Sequence, residues 1–362
     1  LDCAVCGAAA KPGTDNAVFL PVAEIIRRAA KIRRLGGHFL YLFGGEPTLH
    51  PDLLEIVENL SRMGLRPGMA TNGLRLGTDP ALASELKRCG LRRVGIQFDS
   101  LRESVLDKLG RNFLPEKTAA IRHVLAAGLA LGLNCTVTRF NLEEVGDLLV
   151  HGLELGDGVK SLMFFSAAPV GRYKLSQQDS TDREQILHRL LPALQKYGGG
   201  MDDVLPLPAY RPWGIQPHPD CGAHIVMVRT PRGVLPLNRL VDLPALYHRL
   251  GRSRLRPGLL AAYAVPAVFV LQSVRRGQWG ACLRLAAGLL FNRRRHALVN
   301  IGVSHYKGAA FLDEQRLARC SSAFHMADGP AKGCLHFFAA PSIPESGESV
   351  IGSRDFSQCT SP

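Results

Sequence analysis

The sequence predicts an α/β fold, a partial parallel (β/α)6 barrel of about six βα units followed by a smaller α+β C-terminal region. Strand-like and helix-like segments alternate with short connections over roughly the first 170 residues, which is typical of parallel βαβ units. The predicted strands end in polar or turn residues, where barrels carry their working residues. The βα unit recurs without a fixed sequence period.

Each element is predicted from the spacing of its apolar residues. The helical spacing of Val22, Ile25 and Ala29 predicts a first helix over 22–35, which two glycines end. The next elements are predicted as a strand at 39–43, a helix at 51–63, a strand at 67–73, a helix at 80–89, a strand at 93–99, a helix at 115–130, a strand at 133–140, a helix at 142–155 and a strand at 161–168.

The other elements are arranged around the stretch 39–48, FLYLFGGEPT. Its apolar run predicts a buried strand, and the two glycines after the run leave bare backbone that a ligand can touch. The carboxylate of Glu46 at this strand end is suited to accept hydrogen bonds from an ammonium group. A structural turn is the alternative interpretation of Gly-Gly-Glu-Pro.

The pattern changes after residue 173. A helix is predicted at 180–197, then a Pro-rich connection, a hairpin at 224–235, a further helix to residue 250 and a strand at 297–303. We therefore expect four regions: a core at 1–175, a helix and connection at 176–222, a C-terminal region at 223–340, and a disordered Pro/Ser/Gly tail at 341–362.

The composition is that of a folded protein, with 46% apolar and 21% charged residues among 362. Nine cysteines are an odd number and are scattered, which argues against a disulfide scaffold. No secretory signal is evident, so we expect reduced thiols in a cytoplasm, some of them binding metal. Because the chain starts without Met, we also expect truncation at its N-terminus.

The net charge of +13 is concentrated in the segment 251–296, which contains nine arginines and no acidic residue. An uncharged run at 257–274 lies within it, interrupted by Pro266. The segment is predicted to lie at the inner face of an anionic membrane, as a peripheral contact. A buried helical pair with a basic face is the alternative. Nucleic acid is not expected, because aromatic residues are not interleaved with the arginines.

Three motifs resemble the radical SAM superfamily: LDCAVCG at 1–7, Gly-Gly-Glu-Pro at 44–47 and Thr-Asn-Gly at 71–73. Members hold a [4Fe–4S] cluster with C-x-x-x-C-x-x-C. By this resemblance Cys3 and Cys6 are the second and third cluster ligands, and the first would lie two positions before Leu1. A zinc half-site is the alternative for the two cysteines.

The resemblance also implies a site for S-adenosylmethionine and an electron donor such as flavodoxin or ferredoxin. The amino group would be bound by the turn formed by Gly44, Gly45, Glu46 and Pro47. The carboxylate is commonly met at the next strand end, here Thr71 and Asn72. Ribose and sulfonium contacts are implied at the two strand ends after that, which carry Gln97, Asp99, Thr136 and Asn141. A strand-end Asp or Asn is equally often a turn residue.

A narrower resemblance is to the tetraether lipid synthases. It is carried by segments between 97 and 173, and by His218-Pro219-Asp220-Cys221-Gly222 with the run 237–242. It implies a lipid substrate and lipid biosynthesis, and makes Cys221, Cys320 and Cys334 candidate ligands of an auxiliary iron–sulfur cluster. Their alternative is a set of unrelated thiols. Cys89, Cys135 and Cys282 are predicted to be core residues, because their neighbours are apolar or helical.

The function implied is reductive cleavage of S-adenosylmethionine to a 5′-deoxyadenosyl radical, which removes hydrogen from an unactivated C–H bond of a lipid chain. Three alternatives stay open: a peptide-maturing radical SAM enzyme, a molybdopterin-precursor-type synthase, and a non-catalytic iron–sulfur or lipid-binding relative.

Overall fold

The computed structural model describes residues 1–6, 19–34, 37–167, 172–206, 222–230, 233–240, 242–243, 298–304, 323–324 and 332–333. Predictions for the basic segment 251–296, for the tail 341–362, and for Cys221, Cys282, Cys320 and Cys334 lie outside these residues.

Helices and strands alternate through the first half of the chain. The helices are α1 (Val22–Arg34), α2 (Leu53–Arg62), α3 (Leu74–Thr78), α4 (Leu82–Arg88), α5 (Glu103–Lys108), α6 (Leu114–Ala126), α7 (Val145–Glu154) and α8 (Arg183–Gln195). The strands are β1 (Val5–Cys6), β2 (Phe39–Leu42), β3 (Arg66–Thr71), β4 (Arg93–Gln97), β5 (Ala130–Val137), β6 (Val159–Ser166), β7 (Arg172–Tyr173), β8 (Leu205–Pro206), β9 (Gly222–Thr230), β10 (Gly233–Pro236), β11 (Leu298–Ser304), β12 (Ala323–Phe324) and β13 (Lys332–Gly333).

Nine of these strands form one sheet in the order β10-β9-β11-β6-β5-β4-β3-β2, with β8 paired to β9. The strands β2 to β6 and β11 run parallel, whereas β9 and β10 join in antiparallel register. The predicted α/β class and its partial, barrel-like parallel sheet are confirmed. The predicted hairpin is the pair β9 and β10.

The last parallel strand comes from the far end of the chain. β11 pairs with β6 on one side and with β9 on the other, so it extends the sheet of the predicted core. The sequence placed this strand in a separate C-terminal region, because it lies more than a hundred residues after β6. The division into regions stays a prediction, but the sheet continues across the predicted boundary.

The sheet has two different faces. One face packs against the helices in a single apolar core, to which the central strands contribute Val94, Ile96, Leu131, Leu133, Cys135, Val137, Leu162, Phe164, Ile225, Val299 and Ile301. Alternate residues point to the opposite face. We call this opposite face the inner face, and it carries residues such as Asn134, Met163 and His224, which are only half-buried.

The strand predicted at 39–43 is present, but the prediction that it is buried is wrong. β2 pairs only with β3 among the described strands, and its residues alternate between exposed and half-buried. Phe39 is 69% exposed and Tyr41 is 43% exposed. Since β2 lies at the edge of the described sheet, neighbours cover it on one side only, and an apolar sequence could not reveal that position.

Local signals set most element boundaries within two or three residues of their predicted places. At the start of α8, Asp182 accepts a hydrogen bond from the backbone of Gln185 at 2.7 Å, and Gln185 accepts one in return at 3.0 Å. The short helices α3 and α5 were not predicted, because five or six residues are too few to show a helical period.

Within the ranges given above, no helix combines the length and the apolar character that crossing a membrane requires.

Candidate functional site

The two candidate cluster cysteines lie on a short segment that is bound on both sides. Cys3 and Cys6 are free thiols and half-buried. Between them, the backbone N–H of Ala4 donates to Leu109 at 3.0 Å, and its carbonyl accepts from the backbone N–H of Lys174 at 2.8 Å. β1 also pairs with β7 in antiparallel register. The segment is thereby fixed beside the loop that follows α5.

A glycine permits this close approach. Gly110 has φ of +65°, and a Cβ added to it would lie 2.6 Å from the carbonyl oxygen of Asp2 and 3.5 Å from the Cα of Cys3. Any other residue would be strained by the backbone conformation and would clash with the cysteine segment. Gly110 therefore couples the position of Cys3 to the loop 109–111.

The carboxylate of Glu46 joins the ends of β2 and β3. Its Oε1 accepts hydrogen bonds from the hydroxyl of Thr48 at 2.8 Å and from the hydroxyl of Thr71 at 2.6 Å, and also from the backbone N–H of Thr48 at 3.2 Å. Its Oε2 accepts one bond, from the backbone N–H of Asn72 at 2.8 Å. Oε1 is therefore satisfied by the protein, whereas Oε2 retains capacity for another donor.

The turn around Glu46 keeps backbone accessible. Gly44 and Gly45 are exposed, and a Cβ added at Gly44 would meet no atom within 4 Å. Pro47 begins a short 3₁₀ helix, Pro47–Leu49, that Glu46 caps. The next strand end is closed differently, because the side-chain oxygen of Asn72 accepts from the backbone N–H of Leu74 at 2.9 Å. Asn72 thus also has a structural role at the start of α3.

Asp99 and Arg111 form a buried ion pair. Asp99 is fully buried and its Oδ2 lies 3.0 Å from Nη1 of Arg111, which is 4% exposed. The Oδ1 of Asp99 accepts from the backbone N–H of Thr136 at 2.7 Å. The amide of Gln97, oriented with its oxygen toward the guanidinium, accepts from Nε of Arg111 at 2.7 Å. Two predicted site residues, Gln97 and Asp99, therefore meet on one arginine.

The same guanidinium reaches the cysteine segment. Nη2 of Arg111 donates to the carbonyl oxygen of Val5 at 2.7 Å. Burial lowers the pKa of Arg111, but the attraction and hydrogen bonding of Asp99 and Cys3 outweigh burial, and the pKa is raised overall. Arg111 therefore stays charged and links the end of β4 to the candidate cluster ligands.

Lys117 adds a second buried cation. It lies in the first turn of α6 with no exposed surface, and within the described residues its Nζ has no hydrogen-bond partner. Burial lowers the pKa of Lys117, while the negative charge of Asp99 opposes this and the positive charge of Arg111 adds to it. One carboxylate thus faces two buried cations.

Asn141 is occupied by the protein itself. Its side-chain oxygen accepts from the backbone N–H of Thr138 at 2.7 Å, and its side-chain nitrogen donates to the carbonyl oxygens of Asp99 at 2.7 Å and Thr136 at 3.0 Å. These contacts favour the turn interpretation of Asn141 over a ligand contact. The predicted core position of Cys135 is confirmed, since it is 3% exposed and burial raises the pKa of its thiol well above the ordinary value.

The residues present fit a [4Fe–4S] cluster. Two free thiols lie on one segment, and the buried Arg111 donates a hydrogen bond to the backbone between them, which suits an anionic group held by thiolates. The orphaned Nζ of Lys117 adds positive charge on the same side. Within the described ranges no third metal-ligating side chain joins the two thiols, so the remaining ligand stays a prediction.

Arg111 and Lys117 were not among the predicted site residues. A signal for Lys117 was present, because residues 117, 120, 121 and 124 form the buried stripe of α6 and a lysine is out of place in it. For Arg111 the sequence offered only a basic residue in a loop, and such residues are usually solvated.

Comparisons with known proteins agree with the motifs. Residues 1–150 match the family model described as the Radical SAM superfamily. A probable GTP 3′,8-cyclase of Sulfurisphaera tokodaii is 34% identical over 163 residues, 44% of this chain and 50% of the relative. An AdoMet-dependent heme synthase of Methanosarcina barkeri is 32% identical over 177 residues, 47% of this chain and 50% of the relative. The chain spans about half the length of these curated relatives.

Among solved structures, SuiB of Streptococcus suis bound to S-adenosylmethionine aligns with 54% of this chain and 44% of its own, at 17% identity and a TM-score of 0.44. The relatives named here are cyclase and heme synthase types, not tetraether lipid synthases, so the narrower resemblance is not supported by them. The family match therefore covers residues 1–150, and enzymes of the radical SAM superfamily use a [4Fe–4S] cluster and S-adenosylmethionine.

Proposed function

We propose that the chain is a radical SAM enzyme that removes hydrogen from an unactivated C–H bond. The strongest support is that Arg111 contacts both the cysteine segment, at Val5, and the end of β4, at Asp99. The candidate cluster ligands therefore lie at the carboxyl ends of the strands, where the other candidate site residues are. When bound, the cluster and S-adenosylmethionine together supply one-electron cleavage chemistry. A ferredoxin or flavodoxin would supply the electron.

The chain's own residues would bind and orient S-adenosylmethionine. The exposed backbone at Gly44 and Gly45 and the free capacity of Glu46 Oε2 suit an ammonium group. Thr71 lies beside them, with its hydroxyl already directed to Glu46. The roles of Gln97 and Thr136 toward ribose or sulfonium rest on the family resemblance and on their places at the ends of β4 and β5.

We infer that the substrate lies over the inner face of the sheet. Register pairs place Gln97, Asn134, Met163, Gly302 and His224 in one row from β4 to β9. A Cβ added at Gly302 would lie 2.6 Å from the sulfur of Met163, so the glycine leaves room for its neighbour. The row contains no acidic residue, lysine or arginine. It therefore suits an uncharged part of a substrate, such as a lipid chain, better than a triphosphate.

The enzyme activity is tested with full-length protein that is reconstituted anaerobically with iron and sulfide. We expect dithionite and S-adenosylmethionine to yield 5′-deoxyadenosine, and a membrane lipid deuterated along its chain to transfer deuterium from a C–D position to that 5′-deoxyadenosine. The Cys3→Ala variant serves as the inactive control. No 5′-deoxyadenosine above that control would contradict the radical SAM function. Turnover of a peptide or of GTP, with none of lipid, would leave the function and reject the lipid substrate.

Membrane contact is tested separately, through the basic segment 251–296. Replacing Arg293, Arg294 and Arg295 by Gln should lose ~3 kcal/mol of binding to anionic vesicles, at about 1 kcal/mol for each arginine, and added salt should weaken binding. The matched control replaces three exposed residues of α1, Lys31, Arg33 and Arg34, by Gln. Cosedimentation no greater than with neutral vesicles would reject the membrane role.

A further inference from the structure

Among the residues that the structure describes, two buried cations near the candidate cluster ligands are paired with only one carboxylate. Arg111 is 4% exposed, while Lys117 and Asp99 are fully buried. Asp99 is paired with Arg111 at 3.0 Å, and within the described residues Lys117 has no hydrogen-bond partner and no ion pair within 4.0 Å. Two positive charges therefore share one carboxylate in a place where water does not reach them.

Such an arrangement is unfavourable unless a further anion joins it. An uncompensated buried charge destabilises the folded state, even after the protein relaxes around it. The neighbours of Lys117 on the buried stripe of α6 are Ala120, Ile121 and Val124, so the pattern of the helix favours an apolar side chain at position 117. The lysine therefore points to a negatively charged group that binds near it.

The geometry also indicates where that group lies. Arg111 donates to the carbonyl oxygen of Val5, between the two cysteines. A Cβ added at Gly110 would lie 2.6 Å from the carbonyl oxygen of Asp2, the residue before Cys3, so this position admits no side chain. The guanidinium of Arg111 therefore lies next to the segment that carries Cys3 and Cys6.

We propose that Arg111 and Lys117 are positioning residues that stabilise the reduced state of the cluster bound at Cys3, and so raise its reduction potential. This rests on the proposed function. Reduction adds one electron, from a flavin or iron–sulfur protein in the cell or from dithionite in the assay, and makes a thiolate-bound cluster more negative. A nearby cation therefore favours the reduced state more than the oxidised state.

The test is a redox titration of full-length, anaerobically reconstituted protein, followed by the EPR signal of the reduced cluster. Lys117→Met keeps the length of the side chain and removes its charge, and Lys117→Gln keeps polarity without charge. Lys87→Met is the matched control, because Lys87 is exposed on α4. Both Lys117 variants should titrate at a more negative potential than the parent, and Lys87→Met should titrate with the parent.

A second measurement needs no cluster. In iron-free protein, Lys117→Met should have a higher melting temperature than the parent, because the substitution removes an uncompensated charge. Cluster loading should reduce that advantage. An unchanged or lower melting temperature would mean that Lys117 has its partner within the protein, and would overturn the inference.

The outcomes separate this inference from the proposed function. If the parent binds a cluster and the Lys117 variants titrate at the parent's potential, the inference is wrong and the radical SAM function stands. If the parent binds no cluster under conditions where its fold is intact, the proposed function fails and the inference fails with it.

Discussion

Glu46 and Asp99 are carboxylates that follow two strands of the same parallel sheet, yet their surroundings differ. Glu46 is half-buried and receives four hydrogen bonds from neutral donors on residues 48, 71 and 72. Asp99 is fully buried, receives one backbone hydrogen bond and faces two cations. The carboxylate of Glu46 is hydrogen-bonded by its own loop and by the end of β3, whereas Asp99 is left with excess positive charge around it.

The difference separates two ways of preparing a site. Neutral hydrogen bonds fix the shape of the Glu46 turn and leave exposed glycine backbone for a ligand to touch. Around Asp99 the protein instead holds an excess positive charge on Arg111 and Lys117, and a negatively charged ligand would compensate it.

The largest effect is expected at the buried ion pair. Asp99→Asn retains an oxygen for the N–H of Thr136 but leaves Arg111 and Lys117 without an anion, so the free energy of unfolding should fall by about 3–5 kcal/mol. Urea unfolding of the iron-free protein measures it. The control is Asp107→Asn, an exposed residue of α5, which should stay within about 0.5 kcal/mol of the parent. A loss below about 1 kcal/mol at Asp99 would remove the contrast with Glu46.

A smaller effect on binding is expected at Glu46. Glu46→Gln can keep the three hydrogen bonds to Oε1 but loses the charge at Oε2, which is worth roughly 1.5–3 kcal/mol toward an ammonium group. S-adenosylmethionine should bind about ten- to a hundredfold more weakly, with the cluster spectrum unchanged. The exposed Glu55→Gln on α2 is the control. Unchanged affinity would make Glu46 a purely structural turn residue.

The smallest effect is expected at Lys160, at the amino end of the interior strand β6. Burial, with repulsion from Arg229 and Arg93, lowers the pKa of Lys160 from its ordinary value of 10.5 to about 8, against the attraction of Asp157. Between these two pH values the unfolded chain holds a proton that the folded protein has released. The free energy of unfolding should therefore rise with pH across this window.

The rise should be absent from Lys160→Met, measured by urea unfolding at pH 7.5, 9 and about 10.5. Because Lys160 already donates to the carbonyl of Asp157, its charge is partly compensated, unlike that of Lys117. Equal pH dependence in parent and variant would show that Lys160 does not contribute to the pH dependence of the free energy of unfolding. Its partial exposure to solvent would then be enough to screen its charge.

The fold could be predicted from sequence wherever local patterns determine it. The alternation from α1 to β6 follows from apolar spacing, and the candidate ligands at 3, 6 and 44–47 follow from short motifs. The place of β11 next to β6 could not be predicted, because nothing in its seven residues specifies a partner so distant in sequence. Long-range pairing depends on the whole sheet.

The candidate site was predictable in its strand-end residues but not in their partners. Gln97 and Asp99 were expected to contact a ligand, which stays a prediction, and the structure shows that both also contact Arg111. The excess charge around Lys117 depends on burial, which no local pattern of charged residues reveals. The auxiliary-cluster assignment of Cys221, Cys320 and Cys334 and the membrane role of 251–296 stay predictions.

We propose that Cys3 and Cys6 bind an iron–sulfur cluster and that S-adenosylmethionine binds to this cluster. The most direct measurement is EPR of the reduced, reconstituted full-length protein, recorded with and without S-adenosylmethionine. The parent and Cys89→Ala, a half-buried thiol outside the site, should both give a cluster signal that S-adenosylmethionine changes. Cys3→Ala and Cys6→Ala should give no cluster signal that changes when S-adenosylmethionine is added. A responsive signal that persists in both of these variants would contradict the account.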